Sequence, residues 1–365
     1  MTDAALLAPI SIDTLRQALA DSRPSRMRIT GAGTKATGRE ANDGDARRLD
    51  LRGLRGIVSY NPAECVITAL AGTPVAEIEA TLAAHQQYLP FDPTHRHAGG
   101  TIGGTVASGL SGSGRYRYGG VRDFVIGARV VDGHGRLIAS GGQVVKNAAG
   151  FLTHHVLVGS AGRLGAIAEV TFKVFPRPEA RATVRLSCAS LGPALAAHER
   201  LRGATMDLEA LDVAIAAGGN ATVWARLAGA AEALPARIAR ALTGLAGPGD
   251  VLEGEDDDRQ WRDAAELQWA ADAPAVVKVP TAPSRLHDVA RTLTALGPCR
   301  VQCGGAVVLL ATAQPIDVVH DTLATHGWRG VVAVGRWHGR RLGATAPNPF
   351  GDRVSRALDP DQRFL

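Results

Sequence analysis

The stretch from His97 to Gly120, HAGGTIGGTVASGLSGSGRYRYGG, carries nine glycines in 24 positions. It also carries Ile102, Val106, Leu110, Tyr116 and Tyr118. A flexible linker lacks large apolar residues, and an ordinary packed core does not tolerate so much glycine. The combination predicts ordered backbone from which side chains were removed so that something can approach closely. Ile102, Val106 and Leu110 recur at i, i+4 and i+8, which predicts a short helix held in a core by those three. Gly99, Gly100, Thr101, Gly103, Gly104, Ala107, Ser108 and Gly109 then form a face on which a planar or phosphate-bearing ligand can lie. A tightly packed structural helix is the competing reading of the same pattern.

Four further glycine-bearing loops enter or leave apolar runs. Gly31-Ala32-Gly33-Thr34-Lys35 follows the strand-like RMRIT. With Ala36 it matches G-x-G-x-x-A, but the residues after it (TGREANDGDARR) have no apolar stripe, so a dinucleotide-binding βαβ unit is excluded. A glycine-rich turn can still cup phosphate oxygens with successive backbone N–H groups. Taken alone, it also fits a plain surface turn. The others are RDFVIG (Arg122–Gly127), VKNAAGF (Val145–Phe151) and GSAGRLGAIAEVT (Gly159–Thr171). Lys35 and Arg115 are the candidate counter-charges for a bound phosphate group.

Composition narrows the classes. Net charge is +5 and the pI about 9.3, yet no run of like charges occurs and 36 of the 40 cations are arginine, so nucleic-acid binding is not expected. Cysteines stand only at 65, 188, 299 and 303. They fit a reducing compartment, lack iron–sulfur or zinc spacing, and predict no metal site. No stretch of about 18 apolar residues exists, so no membrane span is expected. The expected location is the cytoplasm, with any contact to the inner membrane face made through partners.

Periodicity predicts a helix over 11–21 and a strand at RMRIT. Two strands follow with a turn at Asn61-Pro62, then a helix with Thr73 as N-cap and Pro74 at its first position. A hairpin turning at Asp132-Gly133 and a β run to Phe175 complete the first half. Beyond Pro178, strands and helices alternate in a β-α-β-β-α-β pattern, which predicts ferredoxin-like layers. GPGDVLEGEDDDRQ reads as a polar connector, and the end of the sequence shows little periodicity. The expected fold class is α+β: a glycine-loop domain over 1–178, an α+β domain with ferredoxin-like layers over 179–340 and a tail over 341–365.

The ordered set GAGTK, GGTIGG, RDFVIG, VKNAAG and GSAGRLG resembles the PCMH-type FAD-binding domain of vanillyl-alcohol-oxidase-type flavoproteins. Within that group, RYRYGGVRDFVIGARVVDGHGRLIASGG and VVKNAAGF resemble the FAD-binding subunits of bacterial glycolate oxidases, also called glycolate dehydrogenases. The resemblance covers residues 10–178 well, the second half in layout only, and the closing ALDPDQRFL. It implies that Gly31–Lys35 and Gly99–Gly104 straddle an FAD pyrophosphate. It implies further that Gly165 and Ile167 border the adenine or ribose, and that Lys146, Asn147 and Gly150 approach the flavin. Pro93, Gly114, Arg115 and Asp123 belong to the same implied cofactor set. The chain departs from the pattern at Leu152, Ala161 and Arg163. The first loop holds no histidine, so the FAD is expected to be non-covalent.

No catalytic residue is assigned. The second half lacks an H-x-D-G-N-type motif, and His198, His287 and His320 read as surface or satisfied core residues. The implied function is an FAD-binding subunit of a glycolate-oxidising complex, working with a related catalytic FAD subunit and an iron–sulfur subunit. A self-sufficient FAD-dependent dehydrogenase of a hydroxy acid, sugar or alcohol is one alternative, and a structural subunit with weak or no FAD binding is the other.

Overall fold

The computed structural model describes residues 6–35, 46–142, 153–245 and 247–365. Helix α1 (Ile12–Asp21) opens with a reciprocal cap, in which Thr14 N–H donates to Ser11 Oγ and Ser11 N–H donates to Thr14 Oγ1. Its Leu15 and Leu19 are fully buried, each contributing about 1.5–3 kcal/mol. They pack with Met27 of β1 (Met27–Thr30) and Leu49 of β2 (Arg47–Asp50), two strands that pair in parallel.

The next strands are β3 (Ile57–Asn61), β4 (Val66–Leu70), β6 (Val125–Val131), β7 (Leu137–Gly141) and β8 (Ala166–Lys173). They form an antiparallel sheet in the order β3-β4-β8-β6-β7. Helices α2 (Val75–Ala83) and α3 (Ile102–Ser108) cover one face through Val75, Ile78, Ile102 and Val106. The α1–β1–β2 layer meets Val131, Ala166 and Ala168 on the other. Single turns α4 (Arg115–Tyr118) and α5 (Val121–Phe124), and the short ribbon of β5 (Gln87–Tyr88) with β9 (Phe175–Pro176), close the edges. Thr73 is not the α2 cap. Pro74 takes that position, and the Thr73 hydroxyl instead bonds both the N–H and the carbonyl of Gly56.

Residues 180–343 build one nine-stranded sheet with antiparallel pairing throughout. Its first half runs β10 (Ala180–Cys188), α6 (Leu191–Gly203), β11 (Leu208–Ile215), β12 (Ala221–Gly229), α7 (Leu234–Leu245) and β13 (Asp250–Glu253). Helix α8 (Gly254–Ala265) follows. The second half runs β14 (Ala275–Pro280), α9 (Leu286–Thr294), β15 (Cys299–Gln302), β16 (Val307–Thr312), α10 (Ile316–Thr325) and β17 (Arg329–Gly335), with β18 (Arg341–Gly343) added at the edge. The strand order β13-β10-β12-β11 and its mirror β15-β16-β14-β17 make two ferredoxin-like units joined edge to edge at β11 and β15.

Alternation along the strands sorts the two faces. Val184, Leu211, Val213, Val277, Val279, Val301 and Leu310 pack under α6, α7, α9 and α10. The intervening Thr183, Asp212, Arg226, Lys278, Arg300 and Gln302 look the other way: Thr183 and Arg226 meet Asp257 of α8, and Asp212, Lys278 and Gln302 meet the first half of the chain. There Ser113 Oγ donates to Asp212 Oδ2 at 2.5 Å, Arg300 Nε donates to the same oxygen at 2.8 Å, and Gln302 Nε2 donates to Ser113 Oγ.

Two sequence expectations change. The polar connector is edge strand β13 plus α8, whose Trp261 and Ala264 pack on Ala210; most of its charges mark the outer helix face, while Asp257 is buried against Arg226. The segment 341–365 holds β18 and α11 (Pro349–Leu358), and it then folds back. Phe364 pairs with Met27, and the fully buried Arg363 guanidinium donates to the carbonyls of Leu19, Ser25 and Gly133.

Candidate functional site

Strand β1 runs straight into Gly31–Lys35, and this loop forms one wall of a cleft of about 460 Å³. Facing it are Thr101, Gly103, Gly104 and Ala107 of the α3 region, with Gly165 and Ile167 at the start of β8. The two glycine elements touch: a β-carbon placed on Gly31 would collide with Thr101 Oγ1. Eleven residues singled out from sequence therefore share one cleft, from Gly31 through Ile167.

Their donors are not equivalent. In α3, Ile102 N–H donates to Thr73 O, Gly103 N–H to Ala71 O and Gly104 N–H to Thr101 Oγ1. Those groups are already satisfied. The N–H groups of Ala32, Gly33, Thr34 and Lys35 have no acceptor among the described residues. Unpaired donors in a glycine turn are a cradle for anionic oxygens. The bareness of Gly103 serves packing instead: a β-carbon there would sit 2.6 Å from that of Ala71. Gly103 lines the cleft all the same.

Other expected residues lie elsewhere. Ser108 and Gly109 line an adjoining chamber, and Arg115 lines a small cavity with Lys278 and Gln302. Ile102 is buried core and Pro93 is buried as well. Gly99 is exposed with φ +83°, while Gly100 N–H donates to His95 O. Gly114 N–H donates to an Asp92 carboxylate oxygen, and the Asp123 carboxylate accepts from Gly120 N–H at the start of α5. Lys146, Asn147, Gly150 and Leu152 lie outside the described residues.

The sequence reading missed the β17–β18 hairpin. Its Arg336, Trp337, His338 and Arg340 complete the cleft wall, held by Gly335 N–H donating to Lys35 O at 2.8 Å. The cluster of cations in RWHGRR was its only signal. His338 Nδ1 lies 2.9 Å from the carbonyl of Ala333. A carbonyl only accepts, which assigns the proton to Nδ1 and the lone pair to Nε2. Burial holds the His338 pKa below the usual imidazole value.

The field in the cleft is positive. Arg28, Lys35, Arg163, Arg336 and Arg340 line it, and no Asp or Glu stands among the described lining residues. Burial pulls the Lys35 ammonium down to about 8, against a partial lift from Glu266. His95, beside it, is pushed down to about 4 by burial and then by the Lys35 charge. Its Nε2 has no partner among the described residues. Glu266 is fixed by accepting from His97 and Ala98 N–H. His198, expected on the surface or as a satisfied core residue, is fully buried with neither ring nitrogen bonded to a described residue.

A glycine cradle with free donors, in a cation-rich cleft bordered by a two-sided β–α unit, fits a dinucleotide diphosphate. Residues 4–141 match the family described as FAD binding domain, and the cofactor this match indicates is FAD. Two solved structures of alkyldihydroxyacetonephosphate synthase superpose on 98% of this chain and on 75% and 76% of theirs. Both give a TM-score of 0.70, at 16% and 15% identity. The fold is the PCMH-type FAD-binding fold.

Among curated proteins, glycolate oxidase subunit GlcE of Escherichia coli (strain K12) is 43% identical over 175 residues, which is 48% of this chain and 49% of the relative. Glycolate oxidase subunit GlcD of Bacillus subtilis (strain 168) is 28% identical over 49% of this chain and 38% of its own length. D-lactate dehydrogenase [cytochrome] 1 of Saccharomyces cerevisiae is 28% identical over 47% and 29%. The chain thus spans about half or less of the length of these relatives.

Proposed function

We propose that the protein is the FAD-binding subunit of a glycolate-oxidising complex, converting glycolate to glyoxylate together with other chains. The observation that carries the reading is the row of N–H groups at Ala32–Lys35, without acceptors among the described residues, in a cation-lined cleft of a chain that is 43% identical to GlcE over 175 residues. Ala32, Gly33, Thr34 and Lys35 hold the FAD diphosphate, and Lys35 supplies charge. Thr101, Gly104 and Ala107 form the opposing wall, with Gly165 and Ile167 at its far side. FAD bound there supplies two-electron redox chemistry.

Electrons have to leave this site. The four cysteines are free, and no group of three or more metal-ligating side chains occurs among the described residues. The acceptor in this reading is an iron–sulfur subunit, and a related FAD subunit carries the main substrate site. This chain relays electrons or supports the assembly. No described helix is long and apolar enough to cross a membrane, so membrane contact, in this reading, comes through partners.

The test is purification with and without co-expressed partners. The lone chain is expected to show flavin absorbance that glycolate does not bleach under anaerobic conditions. The complex is expected to contain a cysteine-rich chain and to be bleached. Bleaching of the lone chain would identify a self-sufficient dehydrogenase instead, and a colourless chain would leave a structural subunit.

A further inference from the structure

Beside the FAD cleft, and sharing Ala161, Arg163 and His338 with its wall, lies a second chamber of about 360 Å³. Ser108 and Gly109, at the end of α3, and Gly159 form one side. Strands β14, β17 and β18 form the other, presenting Lys278, Arg329 and Arg341. Among the described residues that line it there is no Asp or Glu.

Lys278 occupies the register of β14 opposite to Val277 and Val279, which fill the core under the helices. Among the described residues its ammonium makes one hydrogen bond, donating to Gly109 O at 3.4 Å. An ammonium has three donors, so two are unmet by the described residues. None of Lys278, Arg329 and Arg341 forms an ion pair with a described residue. Other arginines on the same sheet face are matched: Arg181 with Glu209, Arg226 with Asp257 and Arg300 with Asp212. Burial, then Arg115, brings the Lys278 pKa down to about 8, which leaves the group largely charged at neutral pH. A half-buried cation without a counter-charge costs free energy, and an incoming anion recovers it.

We propose that this chamber is an anion subsite that holds the carboxylate of a small organic acid, with Lys278 as its anchor and Arg329 and Arg341 as the surrounding field. Choosing a carboxylate over other anions rests on the hydroxy-acid reading above. The bare backbone at Gly159, where a β-carbon would meet nothing within 4 Å, leaves room for the acid next to the cofactor cleft.

Oxalate, which cannot be oxidised as a hydroxy acid, is the probe, titrated calorimetrically into the FAD-loaded chain. The wild-type chain is expected to bind it. Lys278→Met is expected to weaken binding by about tenfold or more, and Lys278→Arg to restore most of it. Arg341→Ala is expected to have a smaller effect. Flavin content, read by absorbance on the same samples, is expected to be equal in all four proteins. Unchanged oxalate affinity in Lys278→Met, or no oxalate binding by a flavin-loaded wild-type chain, overturns the subsite and leaves the cofactor reading intact. Inorganic phosphate binding as tightly as oxalate, with the same dependence on Lys278, overturns the carboxylate assignment. A wild-type chain without flavin sinks the cofactor reading itself.

Discussion

Thr101 Oγ1 occupies the space that a β-carbon on Gly31 would need. The first glycine loop and the α3 entrance are therefore in contact, and the spacing of the cleft is set by the absence of one methyl group. Gly31→Ala is expected to force the loop outward, at a cost of about 1–3 kcal/mol, and to lower FAD affinity by about tenfold. Gly31→Ala with Thr101→Ala removes the colliding hydroxyl and is expected to regain part of the loss. Flavin retained per chain after gel filtration is the readout. Equal flavin in wild type and the single variant would remove this contact from the account.

Lys35 gives the cleft a pH dependence of definite sign. Its pKa is lowered to about 8, so its charge disappears as pH rises through that value. FAD affinity is expected to fall between pH 7 and pH 9. Lys35→Met is expected to lose about tenfold in affinity at pH 7 and to flatten that fall. Fluorescence titration with FAD at several pH values checks both. A parallel pH profile in the variant would show that another group titrates.

Much of the cleft was legible because glycine patterning is local. Gly31–Lys35 and Thr101–Ala107 stand out by their glycine spacing, their pairing across one cleft was implied by the family resemblance, and the anchoring of α3 through Ile102 and Val106 follows from helical periodicity. What stayed hidden depends on contacts distant in sequence. The bareness of Gly103 answers to Ala71, and the donors of α3 are consumed by Thr73 and Ala71. Neither fact leaves a mark within the segment. His338 and its neighbours sit in a tight hairpin too short to show a period. Strand β13 was masked by Asp250 and Glu253, because an edge strand tolerates charge that a central strand excludes.

The seam between the chain's two halves rests on Asp212, fully buried and held by Arg300 and Ser113. Arg300→Met leaves that carboxylate without its counter-ion and is expected to cost about 3–5 kcal/mol in urea unfolding. Asp212→Leu with Arg300→Met removes both charges and is expected to recover most of the loss. If the double variant is as unstable as the single one, the cost comes from packing.

His198 and His95 are both held neutral by burial, with pKa values near about 4 against 6.5 when free. The unfolded chain takes up these protons first. Their contribution is therefore complete above the free value and drains away as pH falls from there toward about 4. Each accounts for about 3 kcal/mol at most. His198→Leu is expected to lose less stability than wild type between pH 7 and pH 4.5, measured by chemical denaturation. Identical acid sensitivity in the two proteins would rule His198 out as a source.

Strand β1 has β2 on one flank and Phe364 on the other, and the loop that cups the diphosphate is its direct continuation. A ribosome producing this polypeptide must therefore pass Phe364 before that cup can acquire its final shape. Nascent chains stalled short of that residue should emerge colourless.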